Sequence, residues 1–262
     1  MTDTADPIVA ILQAEAVAGD VERNLATLAT LAARAADAGA DLVVTPELFA
    51  TGYAPMLACG IDGAPIRAEL AALAARLGLA IVASTPADGG ITASFFDADG
   101  NELARVAKRH LYGAEERAAF APAAAYGAPF AWRGITWGMG ICYDVEFPEF
   151  TRDQALRGAE ALLIPTAVPA FAVDAGDLDG AGGYDATLTS TLQVPARALE
   201  NGLWIAYANH IGAGFTGHSC IASPFGHLSA LLPSGEGVAL QRAHREAVAR
   251  ARTANTYLTD LP

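Results

Sequence analysis

Long apolar runs are missing: no apolar run reaches the ~18 uncharged residues that a membrane-spanning helix needs, so no membrane partner is expected. Basic residues are few, 16 against 29 acidic ones, and the formal net charge of −13 offers no electrostatic footprint for nucleic acid or an anionic lipid surface. The opening MTDTADP lacks the basic residues and apolar stretch of a signal peptide, which makes the cytoplasm the expected location. Cysteine is scarce. Cys59, Cys142 and Cys220 are odd in number, widely spaced and without a CxxC pair, which argues against a disulfide framework and a thiolate zinc site and leaves room for one reactive thiol. His110, His210, His218, His227 and His244 show no H-x-x-x-H pairing, and Asp174, Asp177 and Asp179 lack calcium-loop spacing. No metal is expected. Internal repeats, low-complexity linkers and composition breaks are absent as well, so residues 1–262 read as a single domain.

What is present is apolar material, 53% of 262 residues, enough for a large core. IVAILQAE (8–15) reads as a strand, followed by a turn at Gly19-Asp20 and a helix over about 20–38 that ends at Gly39. DLVVT (41–45) is a short buried strand, giving a βαβ unit. A helix across 65–77, strand LAIVAS (79–84) and a hairpin over 91–106 turning at Asp99-Gly100 follow. ITWGMGIC (135–142) predicts a strand running into a sharp turn and a helix at about 148–157, with ALLIPT (161–166) the next strand. A Gly/Asp-rich loop spans 172–185, and beyond it come a helix at 189–201 and strands at 203–209, near 217–222 and near 227–232. Alternation of strands with helices, together with local hairpins, predicts an α/β fold with two packed sheets.

Three segments carry candidate chemistry. In GICYDVEFPE, Cys142 follows a glycine-interrupted strand and precedes a helix start. A nucleophile on such a turn is exposed, and neighbouring backbone N–H groups can hold an oxyanion. A single cysteine is more often a buried small hydrophobe, the reading given to Cys59 and Cys220. TPELFATGY places Glu47 at the end of a buried strand, where an unpaired carboxylate is costly unless hydrogen-bonded or working. KRHLYGAEERAAFAP ends another strand in Lys108, with Glu115 and Glu116 behind it; alone, Lys108 reads equally as a solvated strand end. GHSCI lacks the last glycine of a G-x-S-x-G elbow, so Ser219 is expected to hydrogen-bond within a strand.

Together these motifs resemble the nitrilase, or carbon–nitrogen hydrolase, superfamily, whose core is a Glu–Lys–Cys triad in that order; PARALENGLWIAYAN (195–209) and the strand order extend the likeness over nearly the whole chain. The resemblance implies a four-layer α-β-β-α sandwich and a homodimer formed through 147–158 and the C-terminal tail. It implies that Glu47 moves the proton of Cys142, that Lys108 and the backbone N–H of Tyr143 stabilise the oxyanion, and that Glu116 supports the triad. No metal or organic cofactor is implied. Tyr53, from TPELFATGY, Tyr143 and Glu146 are the implied substrate-binding residues.

Nitrilases proper usually carry tryptophan after the nucleophile and a longer C-terminal region. Tyr143 in that place, with the end at Pro262, favours an amidase acting on a small aliphatic carboxamide. Relatives that act on ω-amides or N-carbamoyl amino acids hold an arginine four residues after the cysteine, where this chain has Glu146. A glutamate there disfavours acidic substrates unless a nearby arginine pairs with it. An ω-amidase, an N-carbamoyl-amine amidohydrolase and a catalytically silent binding homologue are the alternatives.

Overall fold

The computed structural model describes residues 5–174, 176 and 182–261. The first half runs β1 (Ile8–Gln13), α1 (Val21–Asp37), β2 (Leu42–Val44), a single turn α2 (Pro55–Ala58), α3 (Gly63–Leu77), β3 (Ala80–Ala87), β4 (Gly90–Phe96), β5 (Glu102–Ala107) and α4 (Gly113–Ala119). The second half continues with β6 (Phe130–Trp132), β7 (Ile135–Met139), a 3₁₀ turn at Cys142–Glu146, α5 (Pro148–Leu156), β8 (Ala161–Pro165) and the two-residue strands β9 (Ala172–Val173) and β10 (Tyr184–Asp185). It ends with α6 (Val194–Asn201), β11 (Trp204–Ala208), β12 (Ser219–Ala222), β13 (Leu228–Leu232), β14 (Gly237–Arg242) and α7 (Arg245–Ala254).

Two six-stranded sheets result, ordered β14-β1-β2-β3-β4-β5 and β13-β12-β11-β8-β7-β6. In each sheet three central strands are parallel, β1, β2 and β3 in one and β7, β8 and β11 in the other, with antiparallel strands outside them. The parallel strands are apolar at nearly every position because both faces are covered. Odd and even residues then part by the two-residue period of a strand. Val9, Ile11, Val44, Val82, Leu163 and Ala206 meet between the sheets, whereas Leu12, Val43 and Ile81 pack under the helices of the first sheet. Leu162, Ile164 and Ile205 face the helices of the second. Helix, sheet, sheet, helix is the predicted layering.

Turn and cap chemistry follows the sequence closely. Asp20 accepts from the Arg23 N–H at 3.2 Å to start α1, and Asp62 accepts from the Ala64 N–H at 2.9 Å to start α3. The predicted helix over 189–201 is instead a wide π turn at Thr189–Gln193 followed by α6. Pro195 has no N–H to give, so the Val194 N–H reaches back five residues to the Thr189 carbonyl. Five elements lie outside the predicted ones, α2, α4, β6, β14 and α7, besides the two-residue strands β9 and β10. Asp177 and Asp179 of the predicted surface loop lie outside the described residues, and the loop's two ends pair as β9 and β10. In α5, Leu156 is 56% exposed. Among the described residues no helix is long and apolar enough to cross a membrane.

Candidate active site

Glu47, Lys108 and Cys142 each sit just past the C-terminal end of a strand, β2, β5 and β7, and the two sheets bring these ends together. The backbone of Glu47 is tied to both sheets. Its N–H donates to the Thr166 carbonyl at 3.0 Å beyond β8, and its carbonyl accepts from Nε2 of His210, 2.6 Å away beyond β11. Leu48 then adopts φ +51, a left-handed conformation costly for leucine, and its N–H donates to Ser84 Oγ of β3 at 2.7 Å. His210 stacks on Phe49 at 5.6 Å, and burial pushes its imidazole down to about 4, so the neutral ring is the form that donates.

Lys108 is buried completely at its side chain, between two carboxylates. Its Nζ donates to Glu47 Oε1 at 2.8 Å and to Glu116 Oε1 at 2.7 Å. Burial alone lowers a lysine pKa; here Glu47, Cys142 and Glu116 outweigh it and hold the ammonium charged. Glu116 of α4 is saturated as an acceptor. Its Oε1 also takes the Tyr53 hydroxyl at 2.5 Å, and its Oε2 takes the Tyr112 N–H at 2.7 Å. Glu47 differs in one respect: its Oε2 is buried with no hydrogen-bond partner. Burial, reinforced by the charge of Glu116 and opposed by Lys108, pushes the Glu47 carboxyl up to about 8, and the Cys142 thiol beside it pulls the other way. Glu115, the sequence neighbour that competed with Glu116, points to solvent.

Cys142 opens the 3₁₀ turn with φ +48. Contrary to the expectation of an exposed thiol, it is 4% exposed, because the chain after β8 closes over it and the Ala167 carbonyl lies 3.7 Å from its Sγ. Cys59 departs the other way: expected to be buried, it is exposed after α2, while Cys220 is buried as expected. Gly138 and Gly140 explain the glycine-interrupted strand. A Cβ on either would stand 2.5 Å from Gln154 Oε1 or 2.4 Å from the Phe150 ring, so only glycine lets α5 lie against the approach to Cys142. Burial and the Glu47 charge raise the thiol pKa well above its ordinary value against the pull of Lys108. Moving the proton from thiol to Glu47 exchanges one buried anion for another beside the same ammonium, so the burial penalty largely cancels in the transfer.

Three residues that carry this geometry, Asp144, His110 and Asn209, were given no site role in the sequence. Asp144 accepts from the Ile141 N–H at 3.1 Å and the His110 N–H at 2.9 Å, lacing the cysteine turn to the lysine loop, and His110 stacks on Phe147 at 3.7 Å. Asp144 two residues after Cys142 and His110 two after Lys108 were visible signals; the two side chains meet, His110 Nδ1 lying 3.0 Å from Asp144 Oδ1, while the other partners of Asp144 are backbone N–H groups that no side-chain pattern shows. Asn209 holds the closing segment by accepting from the Val168 N–H at 2.9 Å.

Cys142 lines a narrow cavity of about 30 Å³, walled also by Glu146, Tyr112, Phe171 and Tyr184. The carboxylate of Glu146 has no ion pair among the described residues; nearby Arg197 donates instead to the Glu146 backbone carbonyl at 2.8 Å and bonds Glu200 at 3.3 Å. Burial pushes the Glu146 carboxyl up to about 7, against the pull of Lys108 and Arg197. The ring of Tyr143 packs on Tyr112 and Phe147, at 5.3 and 4.9 Å, away from the cavity, leaving its first-turn N–H as the part that can face substrate. Tyr53 is not among the cavity-lining residues; it stands behind Glu116. Ser219 hydrogen-bonds in its strand, accepting from the Asn209 N–H at 2.8 Å.

A family model described as carbon–nitrogen hydrolase matches residues 8–253. The Pseudomonas protegens protein called hydrolase in pqqF 5′ region is 35% identical over 258 residues, covering 92% of this chain and 84% of its own. An (R)-stereoselective amidase of a Pseudomonas species is 29% identical, covering 80% of this chain and 75% of its own. The crystal structure of an amidase from a Nesterenkonia species superposes with a TM-score of 0.84 at 35% identity, covering 98% of this chain and 94% of that one. In another structure of that amidase, acrylamide has added to the active-site cysteine. The chain belongs to the carbon–nitrogen hydrolase family, the nitrilase superfamily, and is a cysteine-dependent amidase acting on carbon–nitrogen bonds other than peptide bonds.

Proposed function

We propose that the protein hydrolyses the carboxamide of a small aliphatic substrate to the acid and ammonia, with Cys142 as nucleophile, Glu47 as general base and acid, Lys108 as fixed cation and Glu116 as the anchor of Lys108. The observation that carries this assignment is the asymmetry of the two carboxylates: Glu116 has both oxygens engaged, whereas Glu47 Oε2 is free.

Glu47 takes the proton from Cys142 Sγ, and the thiolate attacks the amide carbon. The carbonyl oxygen, now an oxyanion, is stabilised by Lys108 Nζ and the Tyr143 N–H. Glu47 returns its proton to the amide nitrogen, the carbon–nitrogen bond breaks and ammonia leaves a thioester. Water, deprotonated by Glu47, attacks the thioester; the carbon–sulfur bond breaks, and the proton returns to Cys142 Sγ as the acid departs. Every group required stands in the chain itself.

An ω-amidase of Arabidopsis thaliana and an N-carbamoylputrescine amidase of Solanum lycopersicum are relatives, each 29% identical. The unpaired Glu146 in the cavity wall argues against a substrate whose far end is a carboxylate. Mass spectrometry of the enzyme mixed with propionamide, alongside an ammonia assay, tests the reading: the acyl adduct is expected on the peptide containing Cys142, and an adduct on Cys59 or Cys220 overturns it.

A further inference from the structure

The mechanism uses Glu47, Lys108, Glu116 and Cys142 and leaves Glu146 without a role. Yet Glu146 lines the cavity that holds the nucleophile, and it is half-buried there with a carboxylate that meets no hydrogen-bond donor among the described residues. Desolvating a carboxylate without a partner costs free energy, so the arrangement is one that a ligand completes. The neighbouring cations have other hydrogen-bond partners: Lys108 lies between Glu47 and Glu116, and Arg197 bonds Glu200 and the Glu146 backbone carbonyl, its Nε staying buried without a partner.

The rest of the wall repeats the same preference. Tyr112, Phe171 and Tyr184 present aromatic rings to the cavity, and among its described lining residues there is no lysine, arginine or histidine. Phe171 and Tyr184 lie 5.3 Å apart at the mouth. Ring faces carry negative potential, and aromatic rings grouped around a carboxylate make a site that attracts ammonium and repels carboxylate. The electrostatics agree: burial, then the charge of Glu146 and then Tyr184, raise the Tyr112 phenol.

Resting on the amidase reading above, we propose that the cavity seats an alkylammonium group and that the preferred substrate is a short linear carboxamide carrying an amine at its far end. Glu146 lies four residues beyond Cys142 along a 3₁₀ turn, roughly 8 Å at ~2 Å per residue. Less the reach of the glutamate side chain, that leaves a linker of a few methylenes.

Two amides of equal length test the proposal: 4-aminobutanamide, and pentanamide, in which a methyl group replaces the ammonium. At about pH 8.5, where Glu146 is ionised, and fixed ionic strength, the wild-type enzyme is expected to favour 4-aminobutanamide by about tenfold or more in kcat/KM, as one desolvated cation contact warrants, and Glu146→Gln is expected to bring the ratio within about twofold of one. n-Propylammonium chloride, set against 1-propanol, gives a readout that needs no variant: the cation is expected to compete with pentanamide at about tenfold lower concentration. Equal or inverted preference in the wild type, an unchanged ratio in Glu146→Gln, or propylammonium no better than propanol overturns the inference while pentanamide hydrolysis keeps the amidase reading standing. No ammonia from either amide overturns the amidase reading and this inference with it.

Discussion

The floor of the active site and its mouth are built to opposite rules. At the floor, Lys108, Glu47 and Glu116 are fully buried, and their backbones are hydrogen-bonded to strand ends or to a helix. At the mouth, Glu146, Phe171 and Tyr184 retain solvent contact and ride on a single turn and a two-residue ribbon. A buried ionic network tolerates no loss of a partner, since whatever remains is an uncompensated charge. A half-exposed wall can change its residues at small cost in stability. Chemistry is thereby held constant at the floor while selectivity is free to vary at the rim.

Removing the nucleophile tests the floor most severely. Cys142→Ala should reduce ammonia release by more than ~10³-fold, and because the lost side chain is small and its site strained, the melting curve should move little. If Cys59→Ala or Cys220→Ala inactivates instead, the floor is misplaced. Lys108→Ala should lower kcat by about 10²-fold or more, as for a lost oxyanion donor, and should also destabilise the fold by about 3–5 kcal/mol by stranding two buried carboxylates. Near-normal kcat with a raised KM would move Lys108 from floor to mouth.

At the mouth the effect should fall on substrate ratios rather than on turnover. Wild type should prefer propionamide to a dicarboxylic half-amide, and Glu146→Arg should narrow or invert that preference by about tenfold or more, because like charges in a partly dry pocket repel by several kcal/mol. A wild-type preference for the half-amide would return the protein to the ω-amidase alternative. Tyr53→Phe sharpens the boundary. The hydroxyl bonds Glu116 rather than reaching the cavity, so kcat should fall by up to about tenfold with KM unchanged. A change confined to KM would place Tyr53 against substrate after all.

The smallest effect expected is on pH dependence. Glu47 is raised in the folded chain above its ordinary 4.5 to about 8. Its contribution to stability is therefore complete below about pH 4.5 and is lost as pH climbs through about 8, whereas its basic form accumulates over the same interval. The melting temperature should drift down between about pH 5 and about pH 9 while kcat/KM rises, and Glu47→Gln should flatten the melting trend. A melting trend identical in variant and wild type would remove Glu47 as its source.

At the floor, Glu47 and Lys108 stood out because each follows a strand within a distinctive local motif, and Glu116, on α4, was separated from Glu115 by its count to Phe120-Ala-Pro122. The burial of Cys142 was not legible: its cover comes from the segment after β8, held by Asn209, remote in sequence from the cysteine. The place of Tyr53 behind Glu116 was not legible either, because a tyrosine in such a motif gives no sign of which side of a carboxylate it occupies. Among the elements, β14 was missed because it is a half-exposed edge strand mixing Val238 with Gln241 and Arg242, and α7 because it buries little beyond Val248 and Ala251. Cores announce themselves by periodicity, and edges do not.

Lys108 is the sole lysine among the 262 residues. Its ammonium is sealed inside the folded protein, so amine-selective acylating reagents find no lysine to modify until the chain opens. Acylation at this one side chain is a built-in clock for global unfolding, readable as a single mass increment beyond the label on the amino terminus. For the same reason, random lysine coupling to a resin or a dye fails on the native enzyme, and attachment has to go through the amino terminus or the exposed thiol of Cys59.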